Sequence, residues 1–381
     1  MIHRFVDLIE EIVPDIPILA NDGDYTIWQI GNLATPRDVP TTSVTIASGD
    51  YLADPEASPI LDDDGIPTEF VYSRVHAGTG GDNEVIICDW EGTTRTTIAQ
   101  SPTDNGVVGL AISLQPSWHP DGSKVLFRNS DADHINQSVP QDIRVVDRDG
   151  TNETVLYTEP TASFTPFSPL YSYDGTKIAW VEKENYLTAP TTLATRYRVK
   201  VMDADGSNVI TAAGPFDLME RTLAWANTSL TIAYMTYDGD AVTDDQVWRK
   251  VNADGTGGAI VWTIDRTGRS TFDYDPPPIK WSWLSDDSAI VTAIKDFGGT
   301  DLWEVSLLDP AGTGPTQIGS LTETEGSSED YRPAAIGGRI YFPTDDTPVT
   351  LIDSVLEDGT DQRTDLNAET QFNGFRGDNL N

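Results

Sequence analysis

The stretch Pro116-Ser-Trp-His-Pro-Asp-Gly-Ser-Lys-Val-Leu-Phe127 sets an aromatic strand end, a tight polar turn and a second apolar strand side by side. Asp121-Gly122 between two β-rich runs is a strong hairpin signal, because glycine takes positive φ without steric cost and aspartate caps the turn. The pattern returns in Leu170-Tyr-Ser-Tyr-Asp-Gly-Thr-Lys-Ile-Ala-Trp180. Further copies stand at Asp22-Gly23 and Asp64-Gly65, with degenerate ones at Asn227-Thr228, Asp286-Asp287 and Gly337-Gly338. Hairpins spaced by 42 to 59 residues make a repeat architecture rather than an isolated turn.

A second strand pair with its own turn follows the later copies. It reads Ile143-Arg-Val-Val-Asp-Arg-Asp-Gly150, Val199-Lys-Val-Met-Asp-Ala-Asp-Gly206, Val247-Trp-Arg-Lys-Val-Asn-Ala-Asp-Gly255 and Leu351-Ile-Asp-Ser-Val-Leu-Glu-Asp-Gly359. Val85 to Gly92 and Leu302 to Asp309 fill the same place in their repeats. Each unit predicts four short antiparallel strands joined by two hairpin turns, so the expected class is all-β. The expected architecture is a β-propeller of seven four-stranded blades, or of six if residues 16–50 only close the ring. Stacked blades bury faces that no single sheet could bury alone. Trp28, Tyr72, Trp118, Phe127, Tyr173, Trp180, Trp225, Trp281, Trp283 and Tyr341, near the first turns, are therefore expected between blades, a stacked ligand platform being the alternative.

Trp118-His-Pro-Asp-Gly-Ser-Lys-Val125 and Tyr171-Ser-Tyr-Asp-Gly-Thr-Lys-Ile178 resemble the repeat of TolB-type propellers, a branch near the WD40 group. The resemblance covers residues 16–366 as architecture and is closest over 116–213. The repeats from 221 onward lose the Asp-Gly glycine, and the repeat at 57–100 inserts Ile66-Pro67-Thr68. The resemblance implies a propeller that binds other proteins, and it carries over no catalytic residue.

No Ser/Gly linker divides the 381 residues, so one repeat domain over 16–366 is expected. Ile2, Phe5, Val6, Ile9, Ile12 and Val13 recur at helical spacing ahead of Pro14 and Pro17, which predicts a short amphipathic helix over 1–15. Residues 367–381 read as a polar tail; Arg376-Gly377-Asp378 within it matches the integrin tripeptide, a chance match in a chain rich in Asp and Gly. Asp7, Glu10, Glu11 and Asp15 interrupt the apolar core that a signal peptide needs, and no run approaches the length of a membrane span. A virion or cytoplasmic location is the expectation.

Charge supplies the second signal. The chain has 61 acidic and 24 basic residues, a net charge of -37, with 44 Asp to 17 Glu and 17 Arg to 7 Lys. Phosphate binding needs a basic stripe and none is visible, which disfavours nucleic acid and an anionic membrane surface. Self-repulsion on this scale opposes compaction in dilute buffer, whereas molar salt shortens the Debye length to about 3 Å. The Asp excess with scarce Lys looks like proteins of extreme halophiles.

No catalytic, cofactor-binding or metal-ligating residue stands out. Cys88 is alone, inside an apolar strand, and His3, His76, His119 and His134 are scattered at no ligand spacing. Asp-x-Asp-Gly at 147–150 and 203–206 starts like a calcium loop, but its glycine comes at position 4 where an EF-hand needs it at 6. Asp62-Asp63-Asp64 reads as a solvated charge run. Gly-x-Ser-x-Gly is absent, and chance carboxylate pairs are too many to select among by sequence. The expectation is therefore a non-enzymatic module that binds other proteins, as a subunit of a larger assembly such as the virion of a halophilic virus, without nucleic acid or membrane insertion. The alternatives are a binding protein of a halophilic cell and a propeller hydrolase or lyase with a carboxylate site in its funnel. The segments His134 to Gln141, Tyr186 to Thr195 and Asp238 to Asp245 are the expected contact loops.

Overall fold

The computed structural model describes residues 17–368 except 22–25, 33–35, 46–49, 62–66, 77–82, 90–91, 102–113, 130–140, 162, 190–191, 239–244, 265–280, 297–301, 313–314, 323–332, 337 and 347–348. Within these, 27 strands form seven antiparallel sheets, each built from consecutive strands.

The first sheet has three strands, β1 (Pro17–Asn21), β2 (Thr26–Asn32) and β3 (Pro36–Thr45), and the other six have four each. The second comprises β4 (Asp50–Ala57), β5 (Glu69–His76), β6 (Asn83–Asp89) and β7 (Arg95–Ser101). The third comprises β8 (Ser117–Trp118), β9 (Lys124–Asn129), β10 (Asp142–Asp147) and β11 (Thr154–Thr158). The fourth follows with β12 (Phe164–Tyr171), β13 (Lys177–Ala189), β14 (Thr192–Asp203) and β15 (Ile210–Phe216). The fifth holds β16 (Ala224–Trp225), β17 (Thr231–Asp238), β18 (Asp245–Asn252) and β19 (Ala259–Ile264). The sixth holds β20 (Trp281–Trp283), β21 (Ile290–Asp296), β22 (Leu302–Leu308) and β23 (Pro315–Thr322). The seventh ends the series with β24 (Ala334–Ile336), β25 (Arg339–Asp346), β26 (Val349–Leu356) and β27 (Arg363–Ala368).

First strands of neighbouring sheets lie beside one another, β1 by β4, β8 by β12, β16 by β20 and β20 by β24, which makes them the inner ring. At the other edge β27 lies beside β3. The apolar core is accordingly divided among the seams between sheets. Val85, Trp118 and Phe127 fill the seam between sheets two and three, and Tyr171, Trp180 and Met202 that between three and four. Val181, Val199 and Tyr234 fill the next, and Trp248, Trp283 and Phe342 continue the core through sheets five to seven.

Tryptophans of the inner strands tie three of the seams. Trp118 Nε1 donates to Glu56 O at 3.3 Å, Trp225 Nε1 to Leu170 O at 3.1 Å, and Trp283 Nε1 to Ala224 O at 3.2 Å. Each acceptor is a backbone carbonyl of the preceding sheet, so a buried N–H that would cost about 1–3 kcal/mol unpaired becomes a strut between sheets.

The turns follow the Asp-Gly rule. Gly122 and Gly175 take φ of 71° and 69°. In the degenerate copy Asp287 occupies the glycine place at φ 60°, a strain that aspartate tolerates better than most residues. Its carboxylate accepts from Asn227 N at 2.6 Å, Thr228 N at 3.0 Å and Thr228 Oγ1 at 2.6 Å, so one imperfect turn anchors the other.

Three expectations change. Tyr173 is 37% exposed, and Tyr171, at 2%, takes the seam position that Trp118 holds one sheet earlier. Tyr186 to Thr195 is not an insertion loop: β13 and β14 extend through it, pairing Tyr186 with Ala194 and Leu187 with Leu193, because its β-branched and aromatic residues favour strand. Asn367 and Ala368 belong to β27 rather than to the tail. The helix over 1–15, the tail beyond Ala368, the turns Asp22-Gly23 and Asp64-Gly65, and most of the His134 and Asp238 segments lie outside the described residues, although Asp238 and Asp245 pair directly. The side chains of Trp28 and Tyr341 also lie outside them. Cys88 is buried, at 1% exposure. Among the described residues no helix is long and apolar enough to cross a membrane.

Candidate functional site

The acidic turns are occupied by their own backbone. Asp149 Oδ1 accepts from Thr151 N at 2.9 Å and Thr151 Oγ1 at 2.6 Å, and Asp205 does the same with Ser207 at 2.9 and 2.6 Å. These bonds hold both carboxyls below the usual aspartate range. Asp147 pairs with Lys124 at 3.2 Å, and Asp203 pairs with Lys177. His119 Nδ1 meets Asp121 at 2.7 Å, and its ring is stacked edge-on against Tyr171 and pressed on Gly175, which makes it a seam residue. Among the described residues no three His, Cys, Asp or Glu side chains converge as a metal site. An open groove of about 750 Å³ between sheets two and three is lined by Glu69, Lys124, Asp147 and Arg148, whose charges pair among themselves.

A different arrangement is found on the inner strand of sheet four. The register of β12 shifts between Phe167 and Leu170, and Ser168 in that bulge has φ of 47°. Bulges of this kind re-aim a side chain and concentrate near functional sites. The bulge is clasped by Gln115, itself at φ 49°, which precedes β8: Ser168 N donates to Gln115 Oε1 at 2.7 Å, and Gln115 Nε2 donates to Ser168 Oγ at 3.2 Å. Two non-glycine residues in the left-handed region, locked to each other across neighbouring sheets, are stored strain of about 1–3 kcal/mol each.

Phe167 is the side chain that this clasp positions. The Arg128 guanidinium, from β9 of sheet three, lies 4.9 Å from its ring centroid, and that of Arg221, from the segment leading into sheet five, lies 5.0 Å away. Arg128 is 5% exposed, with Nη1 donating to Pro166 O at 3.3 Å. Lys183 stands on β13, whose register places it opposite Thr165 of β12. Burial and then the nearby Arg221 charge hold its amine below the ordinary lysine range. Among the described residues neither Lys183 nor Arg221 forms an ion pair. In a chain with 61 acids and 24 bases, two guanidiniums on one aromatic ring and a lysine beside one of them, with no ion pair among the described residues for Arg221 or Lys183, are an unmet demand for negative charge.

Sequence reasoning named none of these residues. The Asp-Gly repeat marks the opposite ends of the strands, and Arg128, Lys183 and Arg221 come together only through the stacking of three sheets. The available signal was Phe167 in Phe164-Thr-Pro-Phe-Ser-Pro169, an inner strand carrying two prolines where ladder pairing is poor.

No protein-family model matches the sequence, and no curated protein matches it in sequence. Solved structures do match. The oligogalacturonate lyase of Vibrio parahaemolyticus is 15% identical, covers 90% of this chain and 92% of its own, and gives a TM-score of 0.57. An oligogalacturonate lyase in complex with manganese is also 15% identical, over 78% and 73%, at 0.53. The β-propeller domain of the Trilobed protease from Pyrococcus furiosus is 13% identical over 83% and 85%, at 0.51. TolB structures are matched as well. Identities this low establish the fold alone.

The expectation of a non-enzymatic assembly module, exemplified by a virion component, is overturned, because the propellers this chain overlays at TM-scores above 0.5 include two lyases and the propeller domain of a protease. The repeat misled on this point, since it records how sheets are built and nothing of the side chains at their ends. The fold is that of a β-propeller.

Proposed function

We propose that the protein is a β-propeller enzyme of the lyase type acting on a carboxylated saccharide, where β9, β12 and β13 come together. The observation that carries this reading is the placement of Arg128 and Arg221 on the Phe167 ring with Lys183 beside Arg221, the last two without ion pairs among the described residues, in a chain of net charge -37. Fold-level likeness to oligogalacturonate lyases supports the reaction class by analogy.

The chemistry divides among the residues. Guanidinium groups suit the planar fork of a carboxylate and withdraw charge from the carbon beside it, which acidifies its C–H. A lysine with a lowered pKa has a neutral fraction able to take that proton. The electron pair left behind forms a carbon–carbon double bond as the bond to the departing sugar oxygen breaks, and that oxygen takes a proton from water. The Phe167 ring offers an apolar face against which the sugar lies.

One neighbouring lyase was solved with manganese. The described residues here do not fit such an ion: the side chains around Phe167 are cations, and no acidic or histidine cluster adjoins them. No step is routed through a metal. Hydrolysis by paired carboxylates is disfavoured too, because Glu159 and Glu182, the carboxylates buried nearby, are 1% and 3% exposed.

We further propose that all seven sheets are blades of one ring, with β1 to β3 as the shortest, and that the acidity is an adaptation to concentrated salt. Incubation with polygalacturonate, against a neutral polysaccharide as control, tests the activity by ultraviolet absorbance of the unsaturated product. The expected result is product from the polyuronate alone and a kcat about 10²–10⁴-fold lower in Lys183→Gln. Absence of unsaturated product from any polyuronate, or an unchanged rate in Lys183→Gln, overturns the reading.

A further inference from the structure

The seam between sheets three and four contains an unusual pair. Glu159, just beyond β11, is 1% exposed, and Glu182, on β13, is 3% exposed. Burying one unpaired carboxylate is costly, and burying two at one place requires compensation for both charges or removal of one.

Compensation reaches only one of them. Arg198 Nη1, on β14, donates to Glu182 Oε1 at 3.0 Å, and Lys200 Nζ lies 3.9 Å from Glu182 Oε2. The other arm of Arg198 is bonded to Glu184. Among the described residues Glu159 has no cation of its own. Its Oε2 accepts from the Tyr157 hydroxyl at 3.3 Å, and its backbone N donates to Gln141 O at 2.9 Å. Glu159 Oε1 is buried without a hydrogen-bond partner, as are Trp180 Nε1 and Gln141 Oε1 in the same seam. The charged and titratable groups around the pair are therefore Tyr157 from β11, Glu184 from β13, Arg198 and Lys200 from β14, and Arg128 from β9, whose guanidinium is turned to Pro166 O.

We propose that Glu159 and Glu182 share a single proton across this seam, and that the proton acts as a pH-sensitive latch between sheets three and four. Glu159 carries it as a neutral acid, its O–H free to bond across the seam, while Arg198 and Lys200 stand against Glu182. Raising the pH transfers the proton to water and leaves two buried like charges facing each other. Burial first, and then the Glu182 charge, push the Glu159 carboxyl up to about 8. The latch lies directly behind the candidate site, because Lys183 follows Glu182 on β13 and side chains alternate across a strand. It does not depend on what the site turns over.

The sign of the effect follows from linkage. Glu159 has a folded pKa raised above its ordinary 4.5, so the folded state holds more protons than the unfolded chain between about 4.5 and 8. Stability from this group is complete below that window and is lost as pH rises through it.

Infrared spectroscopy of the full chain, wild type against Glu159→Gln, reads the proton directly. The expected result is a carboxylic C=O band at neutral pH that fades with a midpoint near 8 and is missing from Glu159→Gln. Urea midpoints should fall between acid and alkaline buffer in the wild type and stay flatter in the variant. If Glu159→Gln fails to fold, Glu182→Gln serves: removing the like charge should lower the midpoint of the Glu159 band. A wild-type spectrum without the band at neutral pH, a band retained in Glu159→Gln, or an unmoved midpoint in Glu182→Gln overturns the proposal.

Discussion

Gly206→Ala measures how much of the stability resides in the contact between turns and the neighbouring sheet. Gly206 closes the hairpin after β14 at φ +86°, where an L side chain costs about 1–2 kcal/mol. A Cβ added there would stand 2.5 Å from Leu156 O and 3.2 Å from Leu156 C, both backbone atoms of β11 in the preceding sheet. Backbone cannot rotate aside as a side chain can, so the seam must open, at about 1–3 kcal/mol more. The sum is about 2–5 kcal/mol.

Gly338 supplies the control. Its φ is +80°, yet no heavy atom lies within 4 Å of the position a Cβ would take, so Gly338→Ala should lose only the conformational 1–2 kcal/mol. Alanine also narrows the unfolded ensemble by about 0.4–1 kcal/mol in each variant, and this cancels in the comparison. Urea unfolding followed by tryptophan fluorescence and far-ultraviolet circular dichroism gives both values. Equal losses, within about 0.5 kcal/mol, would refute the claim that the turns are packed against neighbouring sheets.

Asp287→Ala removes the acceptor of three bonds to Asn227 and Thr228 and should cost about 1–3 kcal/mol, measured by the same urea titration. The carboxyls of Asp121, Asp174, Asp205 and Asp286 are held below the aspartate norm of 3.8, by hydrogen bonds that outweigh burial where burial opposes them. Their folded pKa values are depressed, so their stabilisation is present above about pH 4 and is lost as pH falls through the folded values. Thermal stability should therefore fall on acidification below pH 4, and Asp205→Ala should shrink that drop. With net charge -37, Tm should rise as sodium chloride is raised from dilute to molar concentration, and a flat Tm would remove the salt-adaptation reading.

The hairpins were legible because Asp-Gly is a local device: the φ of Gly122 is set by its own turn and needs no partner. Seam positions were less so. Tyr171 rather than Tyr173 turns inward because β12 ends at Tyr171 and Tyr173 already stands in the turn, a boundary that a period of two does not report. Tyr186 to Thr195 read as an insertion because the length of a strand is not written in its residues, and only the pairing of Tyr186 with Ala194 and Leu187 with Leu193 extends β13 and β14 through it. The candidate site was illegible for a different reason. Arg128, Lys183 and Arg221 come from three repeats, and among 24 basic residues none announces that it lacks a carboxylate. That is a property of the assembled seams.

The indole struts have a direction. Trp118, Trp225 and Trp283 all donate backwards, to a carbonyl on the preceding sheet. During synthesis the acceptor always leaves the ribosome before the donor, so each new sheet meets a finished docking edge and no buried indole waits for a partner still to be translated. Vectorial growth and the polarity of these bonds therefore agree, and a circular permutant beginning at β8 would reverse the order for one strut, with Trp118 translated before the Glu56 carbonyl that it binds.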